Sequence, residues 1–167
     1  AYRIKSSGYE PISKVSSDGK FVFTFNKKNN KSFLFINHSL TGKFYKKIIL
    51  NCEYSGRAFA VSNDNKYFAV SSSGTIYIFN FAGKIIKMIN GNNYYFYSDF
   101  NGLSHVNLIN NLKLTSDNKF IISCGAGYKI CIWRLSNRQL VNYHRFKENF
   151  HRKGPKSLKI LEGGIVN

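Results

Sequence analysis

Apolar positions in this chain cluster in short runs of three to six residues, and the runs are separated by polar or glycine-containing gaps. The clearest stretch is 112–135, LKLTSDNKFIISCGAGYKICIWRL, in which an Asp-centred turn precedes two apolar runs. The same plan occurs twice earlier. Its turns are Ser17-Asp18-Gly19-Lys20, Asn63-Asp64-Asn65-Lys66 and Ser116-Asp117-Asn118-Lys119, each preceded by an apolar residue (Val15, Val61, Leu114). A first run follows each turn: Phe21-Val22-Phe23, Tyr67-Phe68-Ala69-Val70 and Phe120-Ile121-Ile122. A second run follows a gap: Phe33-Leu34-Phe35-Ile36, Ile76-Tyr77-Ile78-Phe79 and Ile130-Cys131-Ile132-Trp133. Weaker apolar stretches at 44–50, 84–89 and 139–144 come last.

Asp followed by Gly or Asn tolerates the positive φ that a tight hairpin turn requires. The flanking runs are rich in Phe, Ile, Val and Tyr, which suit a pleated, largely buried surface. Apolar spacing at i, i+3, i+4 is missing, so a helical solenoid is excluded. Each unit therefore predicts four short strands, and the fold class is all-β. The turns recur 46 and then 53 residues apart, from Asp18 to Asp64 to Asp117. Four-stranded propeller blades repeat about every 40–45 residues. The units are placed at 11–50, 51–90 and 104–145, with an aromatic insertion at 91–103 and a basic segment at 146–167. In residues 1–10, Tyr2 and Ile4 alternate with Arg3 and Lys5, which fits the trailing strand of a preceding blade or a linker.

These residues resemble the WD-repeat family of β-propellers. Ser104-His105 stands where the family has Gly-His, Trp133-Arg134 where it has Trp-Asp, and 115–119 (TSDNK) resembles its Ser-Pro-Asp-Gly-Lys turn. The resemblance covers roughly 11–144 and is most specific in the third unit. It implies structural repeat roles for Asp18, Asp64, Asp117, His105 and Trp133. Departures are visible: Gly127, Ser73 and Asn30 replace the family's tight-turn Asp, Phe79 and Ile36 take the Trp position, and Cys52 takes a His position. The His–Asp–Trp bracing is thus incomplete in every unit. Three blades do not close a ring, since propellers typically have about 4–8. Together with an opening Ala1, this gives the expectation of a partial WD40-type propeller over 1–167, completed by further blades.

Composition adds charge. The formal net charge is +17. One reading is an electrostatic footprint for RNA, acidic tubulin tails or an anionic surface. The other is compositional: Asn, Lys, Ile, Phe and Tyr are all abundant, as A/T-rich codons would produce, and the lysines are scattered rather than aligned in one stripe. No apolar run approaches the 18 or so residues of a membrane-spanning helix, and no signal peptide opens the chain. Cys52, Cys124 and Cys131 have no metal spacing, and in a reducing compartment they read as small buried apolar residues. The expected location is intracellular, with cytoplasm, nucleus and cytoskeleton left open.

Three segments are candidates for partner contacts. The stretch 26–31 (NKKNNK) predicts a hairpin loop that brings Lys27, Lys28 and Lys31 to a tip, where a solvated turn is the plainer alternative. Tyr94, Tyr95, Phe96 and Tyr97 in the insertion form either a stacking or anchoring patch or a loop folded onto its own propeller. Arg152, Lys153 and Lys156 lie in the basic C-terminal segment, an inter-blade linker or a binding arm. Catalytic chemistry is not indicated. Only eight acidic residues are present, and three of them sit in the repeated turns. No carboxylate pair, zinc spacing or nucleophile elbow is found. The sequence predicts a non-catalytic scaffold for protein–protein interaction in a multiprotein assembly, with no cofactor and no metal. The alternatives are an RNA-contacting subunit of a ribosome-biogenesis or other ribonucleoprotein particle, and a scaffold associated with microtubules, centrosomes or cilia.

Overall fold

A computed structural model describes residues 12–28, 31–50, 58–72, 74–90, 109–125 and 129–145. The described residues form three four-stranded antiparallel sheets and no helix. The first sheet contains β1 (Ile12–Val15), β2 (Phe21–Lys28), β3 (Lys31–His38) and β4 (Phe44–Leu50). The second contains β5 (Phe59–Val61), β6 (Tyr67–Ser72), β7 (Thr75–Asn80) and β8 (Ile85–Asn90). The third contains β9 (Ile109–Leu114), β10 (Phe120–Gly125), β11 (Lys129–Arg134) and β12 (Leu140–Arg145). Spatial order follows chain order in every sheet. The first strands approach one another, β1 against β5 and β5 against β9, so the sheets are arranged like blades around a common side.

The Asp turns make the hairpins that the sequence predicts. Gly19 N–H donates to Ser16 O at 3.0 Å, Asn65 N–H to Ser62 O at 3.0 Å and Asn118 N–H to Thr115 O at 2.9 Å. The third loop residue is left-handed in each case, with φ of 71° at Gly19, 53° at Asn65 and 57° at Asn118. This is a type I turn closed by a left-handed residue, for which Gly and Asn are the natural choices.

Side chains alternate faces along a strand, so the middle sheet presents one apolar surface to each of its two neighbours. Phe23, Phe25, Leu34, Ile36, Ile48 and Leu50 of the first sheet pack in one cluster with Phe59, Phe68, Val70 and Phe79 of the second. The opposite face of the second sheet, with Ala58, Ala60, Ala69, Ile76, Ile78 and Ile89, packs in another cluster with Leu112, Leu114, Ile121, Cys131 and Trp133 of the third. The outer face of the first sheet is more open. Val15 and Ile49 are 61% and 56% exposed, and the Lys47 ammonium covers the Phe33 ring at 4.2 Å.

Two expectations are corrected. Asn26, Lys27, Lys28 and Lys31 are strand residues rather than loop residues: β2 runs through Lys28, β3 starts at Lys31, and these two residues are paired. Alternating β-prone residues carry the strands further than polarity alone suggests. The Trp position of the first unit is Asn37, not Ile36. Asn37 is opposite Val22, just as Phe79 is opposite Phe68 and Trp133 is opposite Ile121. Cys124 and Cys131 lie on neighbouring strands, but Cys124 is opposite Ile130 and Cys131 opposite Ser123. The pleat therefore directs them to opposite faces. Both are buried free thiols, and burial pushes the Cys124 thiol up to about 11.

A second set of turns joins the third and fourth strands. Each contains a left-handed residue: Gly42 at φ 65°, Gly83 at φ 85° and Arg138 at φ 64°. Gly83 is constrained twice, since a Cβ there would stand 2.7 Å from Ile48 Cγ2. Arg138 is exposed, yet it holds a conformation that costs a non-glycine residue roughly 1–2 kcal/mol. Glycine's greater unfolded freedom offsets about 0.5–1 kcal/mol of that. Arg138→Gly is expected to stabilise the fold by about 0.5–1 kcal/mol. Urea denaturation of the two proteins checks this, and an unchanged or lower midpoint contradicts it.

Candidate interaction site

In a four-stranded antiparallel sheet, the turn after the first strand and the turn after the third emerge at the same end. All six such turns are described here, and together they build one end of the molecule. Each Asp is held within its own turn. Asp18 Oδ1 accepts from the Ser16 hydroxyl at 2.6 Å and from Lys20 N–H at 3.1 Å. Asp117 Oδ1 accepts from the Thr115 hydroxyl at 2.6 Å and from Lys119 N–H at 3.0 Å. Asp64 Oδ1 accepts from Lys66 N–H at 3.2 Å. The neighbouring lysines add ion pairs, Lys66–Asp64 at 3.8 Å and Lys119–Asp117 at 3.6 Å. These are solvent-exposed and contribute little each.

The turns are also bonded to one another. The Ser17 hydroxyl donates to Asn63 O. Asn63 N–H donates to Asn118 Oδ1, and Asn63 Nδ2 to Ser116 O, both at 3.0 Å. The Tyr67 hydroxyl donates to Asn118 O at 3.2 Å. Asn118 thus does two jobs that glycine could not combine: it adopts positive φ and it offers a side-chain acceptor to the next turn. Burial, then the nearby Asp64 and Asp117 carboxylates, push the Tyr67 hydroxyl up to about 12. It therefore stays protonated and remains a donor.

Two lysines fasten adjacent sheets. Lys46 Nζ of β4 donates to Phe81 O at 2.8 Å, and Lys87 Nζ of β8 donates to Leu135 O at 2.7 Å. They are equivalent positions, opposite Ile36 and Ile78. Lys46 stands on the last strand of its sheet and joins it to the next. The corresponding residue of β12 is Asn142, opposite Ile132. Beside each lysine lies a groove between sheets, of about 250 Å³ at the first junction and about 550 Å³ at the second.

The sequence-predicted residues divide clearly. Asp18, Asp64 and Asp117 come together at the turn-bearing end. Trp133 is buried in the third sheet, where its Nε1–H donates to Ser123 Oγ at 2.8 Å. Ser123 escaped sequence reading, although a buried indole N–H needs an acceptor and a hydroxyl six residues after the turn Asp is the obvious one. In the second unit the equivalent pair is Phe79 and Val70, both apolar and both buried, so neither needs a partner. Lys31 is exposed at the start of β3, paired with Lys28. Lys27 and Lys28 belong to the end of β2, away from the Asp turns. His105, Tyr94, Tyr95, Phe96, Tyr97, Arg152, Lys153 and Lys156, and with them Asn30, Cys52, Ser73 and Gly127, lie outside the described residues. Among the described residues no three His, Cys, Asp or Glu side chains are grouped as a metal site would need, and no helix is long and apolar enough to cross a membrane.

The turn carboxylates give this end a pH dependence. The Ser16 hydroxyl and Lys20 N–H hold Asp18 below the usual carboxylate range, and the Thr115 hydroxyl and Lys119 N–H do the same for Asp117. At Asp64 partial burial works upward, but the Ser62 hydroxyl, Lys66 N–H and the Lys66 charge together outweigh it. A folded value below the unfolded one means that the unfolded chain binds more protons, so stability rises with pH across that window. The contribution is complete above the unfolded carboxylate value of about 4 and is lost as pH falls through the folded values. Urea midpoints measured from neutral pH downward are expected to fall in this acid range. Asp117→Ala is expected to lower the neutral-pH midpoint and to flatten the acid limb. An acid limb as steep as that of the unsubstituted protein contradicts this account.

Comparison with known proteins agrees with this architecture. Residues 100–134 match the family described as WD domain, G-beta repeat. Among curated proteins none matches the chain. Of solved structures, hydrazine synthase from Kuenenia stuttgartiensis is similar at a TM-score of 0.60 and 15% identity, over 93% of this chain and 41% of that one. The structure of U3-55K is similar at a TM-score of 0.61 and 14% identity, over 88% of this chain and 42% of that one. The chain thus spans less than half the length of these two structures, and at such identity the likeness concerns the fold alone. The chain carries a WD-type repeat in its third unit and is built as three blades of a β-propeller.

Proposed function

We propose that this chain is a non-catalytic, intracellular scaffold that joins other proteins in a multiprotein assembly. The observation that carries this reading is the chain of bonds from turn to turn, Ser17 to Asn63 and Asn63 to Asn118 and Ser116. It ties loops of three separate sheets into one surface that is organised before a partner arrives. A surface ordered in advance loses less conformational freedom on binding. The described carboxylates support the non-catalytic part. Asp18, Asp64 and Asp117 are occupied by hydrogen bonds in their own turns.

The RNA-contacting and microtubule-associated readings draw on net charge. Lys46 and Lys87 are engaged in inter-sheet bonds, and Lys66 and Lys119 in ion pairs, which leaves them poorly placed as a phosphate track. Affinity purification of the tagged chain, with crosslinking and identification of crosslinked positions, tests the proposal. A defined set of proteins is expected, crosslinked to the turn-bearing end and retained after nuclease treatment and in about 0.3 M salt, where nucleic-acid contacts weaken steeply. Partners lost with nuclease, or dependent on polymerised tubulin, contradict it in favour of the corresponding alternative.

A further inference from the structure

The two inter-sheet grooves are the same site repeated, and they differ in how well they are filled. Phe81 at the first junction corresponds to Leu135 at the second, Tyr45 to Ile86, and Lys46 to Lys87. At the first junction the Phe81 ring packs 5.5 Å from Phe23 and 5.4 Å from Phe68, and Tyr45 stands 5.3 Å from Phe21. Aromatic rings therefore occupy that groove. At the second junction the smaller Leu135 and Ile86 leave a trough of about 550 Å³, and Ile86 is 45% exposed.

The trough has an aliphatic floor of Ile78, Ile86 and Leu135 and a basic margin of Lys87, Lys119 and Arg134. Lys119 is paired with Asp117. The carboxylates of Asp64 and Asp117 lie toward the Tyr67 end and are held by their own turns. Lys87 donates to the Leu135 carbonyl, and the exposed Arg134 guanidinium rests over the Phe120 ring at 5.7 Å. The far margin is thus left with positive charge beside an open apolar floor.

We propose that this second-junction trough binds an acidic peptide segment of a partner protein. One aliphatic side chain seats against Ile78, Ile86 and Leu135, and a flanking carboxylate meets the exposed Arg134. The inference deepens the scaffold reading and rests on it. Charge complementarity selects the acidic partner, and the guanidinium plane suits a carboxylate. The floor selects a peptide over a single-stranded nucleic acid, whose bases need open aromatic faces. The two aromatic rings here are engaged: Tyr67 through its hydroxyl to Asn118 O, and Phe120 beneath Arg134.

Fluorescence anisotropy of the complete chain with a fluorescein-labelled Glu-Asp-Leu-Asp-Glu peptide tests this. Three controls accompany it: the same peptide with Ser for Leu, an oligo-dT probe, and thermal melts of every variant. Saturable binding is expected. About tenfold weaker binding, equivalent to 1.4 kcal/mol, is expected for Arg134→Glu, for Ile86→Ser and for the Ser-containing peptide. Leu135→Phe, which copies the filled junction, is expected to abolish binding with its melting transition retained. The exposed Ile86 and Arg134 keep the test valid even if Leu135→Phe fails to fold. No saturable peptide binding, equal binding by Arg134→Glu, or tighter binding and displacement by oligo-dT each overturns the proposal. Such a failure leaves the scaffold reading standing, because that reading is decided by the crosslinked partners.

Discussion

In the middle sheet β6 is buried on both faces between its neighbours, and the rest of the structure depends on that. Consecutive residues Phe68, Ala69 and Val70 of β6 are all 0% exposed. Alternation sends Phe68 and Val70 toward the first sheet and Ala69 toward the third. A strand buried on both sides reads as a continuous apolar run, and β6 does from Tyr67 to Val70 before it ends in the buried Ser71 and Ser72. Burying one such Phe contributes about 1.5–3 kcal/mol, but only while the neighbouring sheet is in place. The sheets are therefore mutually dependent in the way repeat architectures are. Packing is complementary in size: alanines at 58, 60 and 69 share their cluster with Trp133.

Face-to-face packing also sets where the turns go. Once the first strands lie side by side, the Asp turns are near enough to exchange hydrogen bonds, and the fourth strands can send a lysine to the next sheet. Lys46 and Lys87 each bond a backbone carbonyl just past the third strand of the following sheet. A hydrogen bond with a charged donor contributes about 1.5–3 kcal/mol where water is partly excluded and less where it is not. That favours Lys87, the part-buried member, over the exposed Lys46. The same junctions generate the grooves, and whether a groove is filled follows from two positions, Phe81 and Tyr45 at the first and Leu135 and Ile86 at the second.

Much of this was legible in the sequence because it is written locally. An Asp followed by Gly or Asn, between runs of β-prone residues, specifies a hairpin with no reference to the rest of the chain. Three copies at blade-like spacing specify the sheets. Features set by register were not legible. Reading Ile36 in place of Asn37 at the Trp position is a one-residue slip, and such a slip exchanges the two faces of a strand. Long-range contacts were equally hidden. Nothing next to Lys46 in sequence points to Phe81 O, and Asn118 looks like an ordinary turn residue until Asn63 and Tyr67 are placed beside it. Ser123 lay between these cases. Its role follows from Trp133 once the β10–β11 pairing is known, because a buried indole must donate its hydrogen somewhere.

The packing of successive sheets can be observed directly by nuclear Overhauser contacts in a sample with labelled phenylalanine rings. Phe25 lies 6.2 Å from Phe59 and Phe23 lies 5.5 Å from Phe81, centroid to centroid, and both pairs cross from the first sheet to the second. Cross-peaks between these rings are predicted, alongside the within-sheet contact of Phe68 with Phe79 at 5.3 Å. A spectrum that keeps the within-sheet contact and lacks both cross-sheet contacts would show that the sheets do not pack face to face.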